Sequence, residues 1–253
     1  MKKLIWLGAV LLLFAASCKD NDDNNGQVDL TFTSTFDTAP LVMYDEQYPY
    51  FDNLNLKFQL FQFYLTDVVL VPDDANSTTT VPHTEIALIS YKDVLNQAAA
   101  LEGITISADK IPAGKYKAVR FGLGVAPRFN ATNPGNYTPP HPLDDHYWSS
   151  MLGYVFMKIE GNADNDGDGQ FTDKLTFHIG ANSLYRTMEF PVTVEVKEGQ
   201  SSTINFGVDL KRVMAVSASD FLDVRAVTQD HTTNPEIYNY LYDNLEQAVQ
   251  IKQ

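Results

Sequence analysis

Cysteine is almost missing from this 253-residue chain: Cys18 is the only one. An internal disulfide framework and any cysteine-based zinc cluster are thereby excluded. Cations are scarce as well, with 18 Lys and Arg against 32 Asp and Glu and a formal charge of -14. A nucleic-acid binder needs a basic footprint. No Lys/Arg cluster supplies one, so nucleic acid is excluded as a default partner, while divalent cations are compatible with the balance. The five histidines (His83, His141, His146, His178 and His231) form no H-E-x-x-H or H-x-x-x-H pair, so a zinc hydrolase has no local support. There is no G-x-S-x-G elbow, and Gly122-Leu123-Gly124 has no third glycine with which to cradle a phosphate. Nothing in the sequence positively supports catalysis, and the expectation is a non-enzyme.

What is present begins with an address. Lys2 and Lys3 precede the apolar run Leu4 to Phe14, and Ala15-Ala16-Ser17 leads to Cys18. That order reads as a secretory signal, too short for an ordinary spanning helix. A-A-S-C resembles a bacterial lipobox. Residues 1–17 are therefore expected to be a lipoprotein signal peptide, with Cys18 acylated and holding the chain to the outer membrane, on its periplasmic or its outer face. Cleavage there removes two lysines and moves the formal charge to -16. Residues 18–27, acidic and without a core, are expected to be a flexible tether. Residues 28–253 are expected to be a single domain.

From Val28 the dominant period is two. Val28, Leu30, Phe32 and Phe36 alternate with polar residues, as do Leu54, Leu56 and Phe58. Phe61, Phe63 and Leu65 continue that run in reversed phase, which predicts a bulge or a switch between sheets. Further strands are expected at 85–90, 104–107, 116–122, 153–160, 175–179, 188–196, 203–209 and 221–227. A short helix is expected over Lys92–Leu101, after the fourth strand region, and a C-terminal helix over Pro235–Ile251. The pattern predicts an all-β protein, an antiparallel β-sandwich of about nine to ten strands.

The sharpest local motif is D-x-D-x-D-G-x at Asp164, Asp166, Asp168 and Gly169, the first half of a calcium loop. The Gln170 carbonyl would add an oxygen. Leu175 stands where a bidentate glutamate belongs, and Asp173 is the expected substitute. A calcium-stabilised surface domain that binds a glycan or a protein is one functional expectation.

A second expectation follows from motifs strung along the chain: Phe32–Asp37, Leu56–Leu70, Ile111–Val125, W-x(4)-G-Y-x-F-x-K-x-E-G from Trp148 to Gly161, and F-H-I-G from Phe177 to Gly180. In order and spacing they resemble the MbnP-like family, copper-binding partners associated with methanobactin operons. The resemblance implies a β-sandwich with one surface copper site held by histidines and by a tryptophan oxidised to kynurenine. It also implies a di-haem, MauG-like peroxidase as the oxidising partner. On this chain it points to His178, with His231 or His146, and to Trp148, the one tryptophan outside the signal segment.

Overall fold

The computed structural model describes residues 24–74 and 77–252. The signal segment, Cys18 and the start of the tether lie outside the described residues. Two β-sheets pack face to face, as alternation of period two requires when each sheet has one apolar side. The strand Asn25–Phe36 buries every second residue throughout its length. It starts earlier than the apolar alternation indicates, so residues 25–27 belong to the sheet and not to the tether.

Its partners make the smaller sheet. Ile104–Pro112 pairs with it antiparallel on one side, and Ser201–Asp209 runs parallel to it on the other, with Phe32 opposite Phe206. The sandwich is antiparallel as expected apart from that pair and a short parallel pair in the larger sheet. The larger sheet runs, in order, Arg186–Val196, Gly114–Leu123, Asn55–Pro72, Met157–Asp164, Asp173–Ile179 and the two-residue strand Gln229–Asp230, with Val81–Ser90 also paired to the long strand. Phe32 reaches from the smaller sheet to Phe63 and Phe121 of the larger, each with ring centroids 6.4 Å away, and stacks on Phe206 at 4.7 Å. These rings form the centre of the core.

The phase reversal in the long strand is a bulge. Opposite it the register slips between Glu160, which faces Leu60, and Gly161, which faces Phe58. An added Cβ on Gly161 would lie 2.2 Å from the Lys57 carbonyl oxygen, so the bulge closes only over a glycine.

Three expected elements differ. The first helix is Gln97–Glu102, capped by Asn96, whose side chain accepts from the Ala99 amide. The last helix, Pro235–Ala248, stops short of Ile251, and Val249–Ile251 forms a strand on Ser201–Asp209. Residues 222–228 form no strand. There Asp223 accepts the Arg225 amide, and its carbonyl accepts from Ala226 and Val227, which winds the chain into a turn while Val224 remains fully buried.

Candidate metal centre

His178 lies on the strand Asp173–Ile179, between Phe177 and Ile179, both fully buried. Alternation places its imidazole on the opposite face of the sheet. Register continues a polar row across that face: Ser90 faces Gln62, Gln62 faces Lys158, and Lys158 faces His178.

On the far side Phe177 pairs with Asp230 in parallel, so His231 follows in step beside His178. Its loop is held tightly. The buried Asp230 accepts, through Oδ1, from the Thr233 amide and hydroxyl and from the Asn234 amide. Thr232, in the left-handed region at φ 59°, accepts the Gly180 amide and donates to the His178 carbonyl. Asn234 then caps the last helix by accepting the Glu236 amide.

Trp148 is carried by a small hairpin, Tyr147–Ser149 against Gly153–Tyr154. Asn130 anchors that hairpin. Its Oδ1 accepts the Tyr154 amide at 2.7 Å, and its Nδ2 donates to the Leu152 carbonyl and to Asn182 Oδ1. Beyond it, the Phe156 amide donates to the Ile179 carbonyl at 2.7 Å, which fastens the hairpin to the His178 strand.

These three supports bring three rings together. Trp148 stacks on His231 with centroids 5.0 Å apart and 18° between planes. His178 meets His231 edge-on at 5.0 Å and Trp148 edge-on at 6.0 Å. The site lies at the surface, with Trp148 48% exposed, whereas the His178 side chain is only 14% exposed.

The donor set fits a metal on one specific count. His178 Nε2 lies 2.7 Å from Glu160 Oε1, while its Nδ1 is buried without a hydrogen-bond partner. An imidazole nitrogen seldom stays buried and unpaired unless something else takes its lone pair. Burial pushes the His178 pKa down, against the opposing pull of the Glu160 hydrogen bond. The downward shift favours the neutral ring, the form that ligates metals.

His146 does not join this cluster. Its backbone is left-handed (φ 65°), and Lys158 Nζ donates to its Nδ1 at 2.8 Å. Its Nε2 faces the Gln62 amide, and its ring meets Tyr64 edge-on. Burial, then the neighbouring Lys158 charge, lowers its pKa. It lines a separate cleft of about 450 Å³ with Gln62, Ser90, Lys92 and Asp145. Of the alternatives for a second histidine ligand, the geometry favours His231.

The acidic loop forms a hairpin tip between Met157–Asp164 and Asp173–Ile179. Ligand oxygens of Asp164, Asp166 and Asp168 lie within 4.8 Å of one another. Asp164 is buried, and its two oxygens accept the Gly167 and Gly169 amides. Both glycines have positive φ, 76° and 83°, which lets the chain wrap the carboxylate. The Gln170 amide donates to Asp168 Oδ1. Asp173 is already in the strand, paired with Ala163, and lies outside the group of three.

Glu160, Asn130, Asp230 and Thr232 are the supports that sequence reasoning missed. Glu160 alone left a signal there: it shares a strand face with Lys158 beside the histidine strand. The other three act through loop contacts that no periodicity records.

Among known proteins, MbnP from Methylosinus trichosporium is a solved structure that matches at a TM-score of 0.56 and 16% identity, over 86% of this chain and 87% of that one. At that identity the likeness speaks for the fold alone. No curated protein matches the chain. The MbnP family model matches residues 25–234, which takes in the strand of His178, the Trp148 hairpin and the His231 loop, and the chain belongs to the MbnP family.

Proposed function

We propose that this protein binds copper at the cell envelope, with His178 and His231 as imidazole donors and Trp148 beside them. The observation that carries the reading is the meeting of these three rings, together with a His178 Nδ1 that is buried without a hydrogen-bond partner. Neutral imidazoles suit copper in either oxidation state, and a small donor set with an open edge suits Cu(I). Bound copper would supply soft-metal ligation and redox chemistry. The protein's part is to hold two neutral rings in a fixed mutual geometry and to keep one face of the site under an aromatic plane.

The half-exposed Trp148 is where a di-haem, MauG-like peroxidase would act if the tryptophan is converted to kynurenine, as the family resemblance implies. Lipid attachment at Cys18 would place this chemistry at the outer membrane. The test is copper stoichiometry before and after removal of His178.

A second metal belongs to the same proposal, because Asp164, Asp166 and Asp168 already converge on a pre-wrapped turn. Calcium there would order the hairpin tip and take no part at the copper site. At calcium a hundredfold above Kd the stabilisation is about 2.7 kcal/mol, or roughly 5–10 °C in Tm for a domain of this size. Chelation is expected to lower the calorimetric Tm by that amount, and an unchanged melt would remove calcium from the account.

A further inference from the structure

We propose that Glu160 is a positioning residue that selects Nδ1 of His178 as the metal-binding atom, an inference that rests on the copper reading of the site. An ionised carboxylate can only accept, so the 2.7 Å contact between His178 Nε2 and Glu160 Oε1 requires the proton on Nε2. A neutral imidazole has one proton, and Nδ1 is left with its lone pair. That nitrogen is the buried atom without a partner.

The strand arrangement makes this assignment stable. Glu160 and Lys158 share one face of Met157–Asp164, and Lys158 sits directly opposite His178. Lys158 directs its ammonium to His146 Nδ1 at 2.8 Å, and Glu160 closes on His178. Glu160 Oε1 is engaged at Nε2, the ring nitrogen other than the unpartnered Nδ1, so it acts from behind the ligand and not as a ligand itself. A carboxylate behind a ligating histidine fixes the tautomer and ring orientation, and its removal typically costs about 10–100-fold in metal affinity.

The experiment has a metal-free arm and a copper arm. Long-range proton–nitrogen NMR correlation on the labelled, metal-free protein reads the His178 tautomer. Wild type is expected to show a protonated Nε2 and a bare Nδ1. Glu160→Gln, which keeps an accepting oxygen, is expected to retain that tautomer and bind copper within a few-fold of wild type. Glu160→Ala is expected to show mixed tautomers and to bind copper about 10–100-fold more weakly, with circular dichroism reporting an intact fold.

A wild-type protein protonated at Nδ1 would overturn the inference. So would a Glu160→Ala protein with unchanged tautomer and affinity. Copper retained in full by His178→Ala would instead overturn the copper reading, and the metal-free spectra keep the two failures apart.

Discussion

Replacing His178 with alanine is expected to abolish stoichiometric copper binding and leave the sandwich folded. The loss should exceed the roughly 10–100-fold that removing only a hydrogen-bond partner of a ligand costs, because here a donor itself is removed. The fold should survive because the imidazole stands on the outer face of the sheet. Phe177 and Ile179, which face the core, keep their burial, and the pairing to Met157–Asp164 and Gln229–Asp230 is made by the backbone. His146→Ala is the informative companion. Its ring is engaged by Lys158 and Gln62, so copper stoichiometry should be unchanged. Competition titration with a Cu(I) chelator measures both, and circular dichroism checks the fold. Unchanged stoichiometry in His178→Ala would sink the site assignment.

Gly180→Ala should produce a large loss of stability. The residue ends the F-H-I-G motif, and a Cβ there would lie 2.4 Å from the Tyr154 carbonyl oxygen, 2.8 Å from the Phe156 nitrogen and 2.9 Å from the Val155 Cα. All three are backbone atoms, which no side-chain rotation can move aside. Overpacking of this kind costs about 3 kcal/mol or more, at the upper end of the usual range. That corresponds to roughly 6–12 °C in Tm. The same residue donates its amide to Thr232, so the strand of His178, the Trp148 hairpin and the His231 loop meet at this glycine. Gly135→Ala is the matched control: its nearest neighbour would be a side-chain oxygen of Asn133 at 3.3 Å, and it should melt close to wild type. A Gly180→Ala protein with a wild-type Tm would contradict the close approach of the two backbones.

Much of this arrangement was legible in the residues. Alternation placed His178 on the outer face because Leu175, Phe177 and Ile179 plainly take the inner one, and the reversal after Phe58 marked the bulge that Gly161 completes. The sandwich class followed from the same period. The parallel pairing of Asn25–Phe36 with Ser201–Asp209 was not legible, since both strands alternate identically whichever way they run. FLDVRAV at 221–227 reads as a strand on composition. Asp223 turns it instead, through side-chain and carbonyl bonds to Arg225, Ala226 and Val227, and Val224 is buried without a ladder. The C-terminal helix gave way at Val249 because Val249 and Ile251 pair with Val208 and Phe206 and cover a sheet edge.

At the site, the family resemblance pointed to His178, to His231 or His146, and to Trp148, and the fold brings His178, His231 and Trp148 within 5.0–6.0 Å of one another. His146 stands much closer to Trp148 in sequence than either of the other two histidines. Its left-handed backbone and the half-buried Lys158 turn it to another cleft, and neither feature has a sequence signature.

We propose that His178, His231 and Trp148 form a copper centre on this MbnP-family sandwich. The most direct test is elemental analysis together with intact and peptide mass of the protein isolated from its own host. One copper per chain, with any oxidative mass change confined to the peptide carrying Trp148, is the predicted result. A chain without copper and with unmodified Trp148 would contradict the account.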